Sequence, residues 1–364
     1  MSKVYYIPAR VSKWSYKHSV VGMFSAAINE LPFKDYFAKE DYVAVKIHLG
    51  NYGSYRTIRP VFVRKLNDML KGLGAKPFVT ESVRVKGLDL LEMAAWNGYT
   101  AESLGAPLIV ADGIFGADGV TVPCDEPIKH VDICSAIYHA QGMLVLSHTK
   151  GHIQSGFGGA LKNLGMGCLV PKSRGHLHFQ TDTEFVFDRN LCSECLQCVE
   201  ICPLNASSFN DDGDWVKDEE ACWNCGRCAR VCQTGALKVS INQSEFNFGL
   251  AAATKSVIDT FKKNKIFYVN FMHEIQPECD CMPAADVPVV QDQGILFSDD
   301  PVAIDMASLD MINKAEVIKD SLAGERGKTS EALLNLHGSD PYSHILNSEK
   351  LGLGSTKYEL INLQ

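Results

Sequence analysis

The sequence predicts an α/β fold: a discontinuous α/β domain with a largely parallel sheet, interrupted by a small α+β unit rich in cysteine. Three observations predict it. Apolar β-type runs alternate with amphipathic segments from residue 1 to about 180, the pattern of a parallel sheet with covering helices. The alternation resumes after residue 243, and between the two stretches one cysteine spacing occurs twice. The expected division is residues 1–182 and 243–364 for the discontinuous domain and 183–242 for the insert. Two separate domains flanking the insert are the alternative reading.

The elements follow in order. Strands are predicted over Val43 to His48, Pro77 to Thr80, Pro107 to Ala111 and Met143 to Ser147. From Pro60 to Leu73, the residues Val61, Val63, Leu66, Met69 and Leu70 approximate helical spacing, Pro60 suits a first turn, and Gly72 and Gly74 provide a stop. A glycine-rich segment, Gly156 to Ala160, leads into a predicted helix through Leu161 to Leu164. Beyond the insert come an amphipathic stretch from Gly249 to Phe261, a strand over Ile266 to Phe271, and Ile295 to Phe297 running into a helix. Ser298, Asp299 and Asp300 are expected to cap that helix, and Pro301 fits its first turn.

At 364 residues the chain is long enough to bury a substantial core, and 46% hydrophobic against 21% charged residues excludes wholesale disorder. A formal net charge of -8 without any long basic run excludes a nucleic-acid surface. The first residues, MSKVYYIPARVSKW, lack the apolar core of a secretory signal, and no stretch reaches the length of a membrane span. The expectation is a cytoplasmic protein that binds neither membrane nor nucleic acid.

The first cysteine run is Cys192-x2-Cys195-x2-Cys198-x3-Cys202-Pro203, and the second is Cys222-x2-Cys225-x2-Cys228-x3-Cys232. Three cysteines at this spacing wrap their thiolates round one face of an iron–sulfur cubane, while the fourth is carried off by a helix and reaches the other cluster. One [4Fe–4S] cluster is then held by Cys192, Cys195, Cys198 and Cys232, and the other by Cys222, Cys225, Cys228 and Cys202. Structural zinc would leave the third and fourth cysteines of each run without a use. Over roughly sixty residues the insert resembles bacterial two-cluster ferredoxins. It departs from them at Cys232-Gln233, where proline is usual, without changing the ligand count.

Outside the insert, distinctive chemistry falls on Lys46 to Gly50, His148 to His152, the glycine-rich stretch through Lys162 and Asn163 to Cys168, and Cys279-Asp280-Cys281. His48 and His148 end predicted strands, where open α/β sheets place their ligands, so a common pocket is expected. His48, His148, Lys150, His152 and Lys162 are the candidate catalytic residues. Each has a structural alternative, a buried histidine satisfied by hydrogen bonds among them. Cys279 and Cys281 are either buried thiols or two soft ligands that could join His48 and His152 around a third metal; a redox-active disulfide between them is disfavoured because so short a loop is strained. Residues Gly156 to Asn163 either cradle an anion on N–H groups, with Lys150 or Lys162, or pack closely against the sheet. Asp299, Asp300 and Asp305 are read as capping or structural groups.

The segments KIHLGNYG, HTKGHIQSGFGGALKNLGMGC, CDCM and FSDDPVAID together resemble the domain-of-unknown-function 362 family, in its ferredoxin-containing branch, over nearly the whole chain. The resemblance implies one domain interrupted by the clusters and no settled activity. More faintly, the histidine and glycine-rich lysine stretch is similar to the amino-terminal domain of nickel-dependent lactate racemases, which implies a phosphate or cofactor cradle. Three functions share the same cluster ligands. The first is an electron-transfer protein delivering low-potential electrons to a redox partner protein. The second is a self-contained oxidoreductase whose pocket holds a metal, flavin or small-molecule substrate fed by the clusters. The third is a metal-binding scaffold or maturation factor.

Overall fold

The structure is a computed structural model and describes residues 1–83, 87–179, 184–202, 205–219, 221–222, 226–240 and 243–363. Eight strands make one sheet: β1 (Ser2–Pro8), β2 (Tyr42–Lys46), β3 (Lys76–Glu81), β4 (Leu108–Val110), β5 (Gly142–His148), β6 (Ile266–Met272), β7 (Gly294–Ser298) and β8 (Tyr358–Asn362). Their order is β8-β1-β7-β6-β5-β2-β3-β4. The pairs β6–β5, β5–β2, β2–β3, β3–β4 and β1–β8 are parallel, and β7 runs against both of its neighbours. The sheet is thus largely parallel, as the alternation of elements predicts. β5 is buried along its whole length, as expected of a central parallel strand covered on both faces.

The covering helices explain that burial. On one face lie α1 (Val20–Glu30) and α2 (Pro60–Gly72), whose Phe24, Ile28, Phe62, Val63, Leu66 and Leu70 pack on Val43, Val45, Leu144, Val269 and Phe297. On the other lie α3 (Ala160–Gly165), α4 (Gln243–Ile258), α5 (Pro301–Lys314) and α6 (Ser343–Lys350), which bury Leu161, Leu250, Ile304 and Ile345 against Ala44, Val145 and Tyr268. The predicted cap of α5 is observed. The Asp300 side chain accepts from the N–H groups of Val302 and Ala303 at 2.9 Å each, and Pro301 opens the first turn. β1 and β8 have no counterpart among the predicted strands.

Residues 184–240 build two small antiparallel ladders outside the main sheet. Glu184–Phe187 pairs with Leu237–Ser240, and Ser207–Phe209 pairs with Trp215–Lys217. Short helices Gln197–Glu200 and Arg227–Val231 lie within the two cysteine runs and carry the third cysteine of each, Cys198 and Cys228. The repeat is visible in the backbone. Leu196 and Gly226 precede these helices with φ of 58° and 72°, and Asn205 and Gly235 follow them with φ of 52° and 69°. The expected boundaries at 182, 183 and 242, and with them Cys225, lie outside the described residues. Among the described residues no helix is long and apolar enough to cross a membrane.

Candidate functional site

The carboxyl ends of β2, β3 and β5 open into one cavity of about 350 Å3. Parallel strands end there with loops that diverge, which leaves room for a ligand. His48, His148, Lys150, His152, Lys162, Cys279 and Cys281 all line it, joined by Glu81, Asn163, Arg174 and Cys222. The last is a cysteine of the second run, so the insert contributes to the wall.

Under the cavity sits a buried polar cluster in which Lys46 and Asn163, both from segments distinctive in the sequence, meet Glu81, which the sequence reading missed. Lys46 Nζ donates to Glu81 Oε1 at 2.9 Å and to Asn163 Oδ1 at 2.8 Å, with the lysine and glutamate side chains 0% and 1% exposed. Asn163 Nδ2 donates in turn to the Leu146 carbonyl and to Ser147 Oγ. Strand pairing explains the meeting. Lys46 lies opposite Thr80 in the β2–β3 register, and Glu81 is the next residue, one position past the predicted end of that strand.

A second buried cluster anchors the Cys279–Cys281 turn. Asp280 is fully buried and accepts from Lys150 Nζ at 2.6 Å, from Gln276 Nε2 at 2.8 Å and from His148 Nδ1 at 3.0 Å. His148 Nε2 donates to the His273 carbonyl at 2.7 Å. Burial opposes ionisation of Asp280, but the charges and hydrogen bonds of His148 and Lys150 outweigh it and hold the carboxyl well below its ordinary range. The aspartate of the C-D-C turn therefore faces inward as a structural anchor. Gly151 completes the seat: a Cβ there would stand 2.1 Å from the Pro277 carbonyl oxygen, so only glycine lets the two segments meet.

This anchoring presents both cysteines of the turn to the cavity. Cys279 is 1% exposed, with Lys162 Nζ at 3.8 Å from its Sγ and the Cys281 N–H at 3.4 Å. Its thiol is held well below the ordinary value, first by a hydrogen bond from the Cys281 side chain, against burial, and further by Lys162 and Lys150.

The two remaining histidines are polarised by the backbone. The Gly50 N–H donates to His48 Nδ1 at 3.1 Å, and the N–H groups of Gln154 and Ser155 donate to His152 Nδ1 at 3.2 and 3.1 Å. A nitrogen that accepts an N–H carries no hydrogen, so in both rings the hydrogen is on Nε2. His48, His152, Cys279 and Cys281, the residues of the expected third metal site, all line this one cavity. Among the described residues no group of three His, Cys, Asp or Glu side chains is arranged for a single ion. Lys162, Arg174, His48 and His152 give the wall of the cavity a basic edge.

The Gly156 to Asn163 segment, read as either an anion cradle or a packing surface, has N–H groups at its helix start that are taken by the protein itself. Asp305 Oδ1 accepts from the Ala160 N–H at 2.7 Å and from Asn270 Nδ2 at 2.8 Å, and Oδ2 accepts from the Leu161 N–H at 2.9 Å. A Cβ on Gly159 would lie 2.3 Å from Asp305 Oδ1, so the glycine serves close packing. Burial pushes the Asp305 carboxyl up to about 6, against those three hydrogen bonds. Cys168 is a core residue whose thiol burial raises to about 12.

In the insert, Cys198 has Cys192, Cys195 and Cys232 as electrostatic neighbours, which with burial push its thiol up. These are the four cysteines of the first expected ligand set. Backbone N–H groups point at sulfur, from Glu194 to Cys192 at 3.4 Å, from Ala206 to Cys202 at 3.3 Å and from Leu237 to Cys232 at 3.3 Å. Burial opposes it, but the N–H groups of Leu237, Ala236 and Gly235 and the Thr234 hydroxyl hold the Cys232 thiol below its ordinary value. Thiolates so supported fit a cubane, which is wider than one ion and keeps its ligands further apart. Arg227, beside Cys228, forms an ion pair with Glu278 at 2.9 Å and ties the insert to the Cys279 turn.

Fold and site together define an α/β protein with a mostly parallel sheet, small inserted ladders and, at the strand ends, a largely apolar cavity edged by charged side chains. The chain belongs to the family described as a domain of unknown function (DUF362), whose model matches residues 43–310. No curated protein matches it. Among solved structures it is similar to the lactate racemase apoprotein from Thermoanaerobacterium thermosaccharolyticum, at 11% identity and a TM-score of 0.37 over 74% of this chain. The chain spans half the length of that racemase, 50%. It is also similar to a structural-genomics protein from Thermotoga maritima, at 8% identity and a TM-score of 0.32, over 98% of this chain and 89% of the other. Likeness at that level carries no argument about the site.

Proposed function

We propose that the chain is a self-contained iron–sulfur oxidoreductase, from the branch of its family that carries a two-cluster ferredoxin insert. In this reading residues 1–182 and 243–364 are one domain, and 183–242 hold two [4Fe–4S] clusters through Cys192, Cys195, Cys198, Cys232 and Cys222, Cys225, Cys228, Cys202. The clusters supply single electrons at low potential. The observation that carries the reading is that Cys222 lines the same cavity as Cys279, Lys162, His48 and His152. A simple carrier leaves that cavity without a use.

The roles follow from the geometry. Lys162, Arg174, His48 and His152, which line the cavity, bind a small anionic molecule, and the Lys46–Glu81–Asn163 cluster keeps the floor in place. Cys195 is exposed, as are Leu191 and Leu196 beside it at 47% and 49%, so a redox partner protein meets the chain on the first cluster's side.

The test is reoxidation of the reduced chain. Protein purified without oxygen is expected to hold about eight irons and as many sulfides. Reduced with dithionite and mixed with small carboxylates and oxo acids, it is expected to be reoxidised at a rate that saturates with at least one of them. The His48→Ala, His152→Ala double variant keeps its iron and loses that saturation. A chain with full iron that none of these acids reoxidises saturably is a carrier, and the proposal is wrong.

A further inference from the structure

We propose that Cys279 and Cys281 are a redox-active dithiol that cycles with an intramolecular disulfide and passes two electrons to an acceptor bound in the cavity. The inference rests on the oxidoreductase reading and names the group that meets the ligand.

Both cysteines line the cavity, and the Cys281 N–H donates to Cys279 Sγ at 3.4 Å, so Cys281 already lies against the Cys279 sulfur before any bond forms. The turn is held from every side. Asp280 between them is clamped by Lys150, His148 and Gln276; the Met282 N–H donates to the Cys279 carbonyl at 3.0 Å; and Asn51 Nδ2 donates to the Cys281 carbonyl at 2.9 Å. A disulfide across one intervening residue is strained, which disfavours it as a structural bond. The same strain makes it oxidising and labile, as catalytic disulfides are. Lys162 stands beside Cys279 Sγ, where a cation stabilises the sulfur as attacking or leaving thiolate.

The reaction balances within the chain. In the oxidised form one S–S bond joins the two sulfurs. Two electrons, one from each reduced cluster, break that bond; Cys279 remains as thiolate beside Lys162, and Cys281 takes one proton from solvent. On return, the pair gives two electrons and the Cys281 proton, with one further proton from solvent, to an oxo acid bound in the cavity; its C=O becomes a hydroxyl-bearing carbon, and the S–S bond re-forms. The dithiol thereby converts one-electron supply into a two-electron step at the wall that Cys222 shares.

The test reads the sulfurs directly. The full chain, purified without oxygen, is treated under argon with diamide or with dithiothreitol, quenched in acid, alkylated in denaturant and mapped by peptide mass, with iron measured on every sample. The peptide that carries both cysteines is expected to take no alkyl group after diamide and two after dithiothreitol. In Cys279→Ser and in Cys281→Ser, the remaining cysteine is expected to be alkylated under both treatments. Two alkyl groups on the wild-type peptide under both treatments overturn the dithiol, and with full iron the oxidoreductase reading survives. A chain without iron that still shows the switch overturns the reading and leaves the dithiol standing.

Discussion

Replacing Asp280 with asparagine removes the charge on which Lys150, His148 and Gln276 converge. Three donors meet two carboxylate oxygens at 2.6 to 3.0 Å, and an asparagine amide offers one oxygen and a further donor in place of the second. Asp280 is 0% exposed and Lys150 5%, so water cannot take over for the lost partner. Removing one member of a buried pair costs about 3–5 kcal/mol, because the other charge is left uncompensated. Asp280→Asn is therefore expected to lower the free energy of unfolding at pH 7 by that amount, read from the urea midpoint by far-ultraviolet circular dichroism. The pH dependence has a definite sign. The folded carboxyl lies below its unfolded value, so its contribution is complete above about pH 4 and fades as the pH falls further. The gap between wild type and variant should be widest near neutrality and close in acid. A variant within about 1 kcal/mol of wild type at pH 7 would refute the claim that this carboxylate anchors the turn.

Asp305 predicts the opposite pH trend. Its carboxyl is raised to about 6, so the stability that protonation gives is present below about pH 4 and lost as the pH rises through 6. Measured against Asp305→Asn, wild type should lose roughly 3 kcal/mol between pH 4 and neutrality; a constant difference would contradict the assignment. Gly159→Ala drives a methyl to 2.3 Å from Asp305 Oδ1 and should cost about 1–3 kcal/mol in the same urea assay, where an unchanged midpoint would show that α3 has room to shift.

What the sequence could show was local. The strands at Val43, Pro77, Met143 and Ile266 announce themselves by apolar runs, and their carboxyl ends mark the side of the sheet on which His48 and His148 gather. The clusters beneath the cavity were out of reach because their partners are far apart along the chain. Lys150 and Asp280 are separated by 130 positions, and Ala160 and Asp305 by 145. No periodicity couples such pairs; only the strand order does. Thus the glycine-rich segment could be read as anion cradle or packing surface, and Asp305 from α5 decides for packing. The C-D-C turn was legible as a pair of candidate metal ligands, but the inward orientation of its aspartate depends on His148 at the end of β5 and Lys150 in the short strand beyond it. β1 and β8 escaped notice for a different reason. Their burial is partial, so their apolar residues are diluted by exposed ones.

The place of the insertion explains why the cysteine-rich unit contributes to this cavity. It leaves the main domain after the helix Pro171–Phe179, whose Pro171, Arg174 and Gly175 line the cavity, and returns at α4. Its first and last strands pair antiparallel, Glu184 opposite Ser240, so the chain comes back to the point it left and the eight-stranded sheet continues undisturbed. A unit attached at that point must lie near the ends of β2, β3 and β5, and the Arg227–Glu278 ion pair fastens it next to Cys279. A redox module that served only outside partners could hang from any surface loop. On the oxidoreductase reading proposed above, a unit set at the rim of the cavity with Cys222 in its wall would act on what the cavity binds.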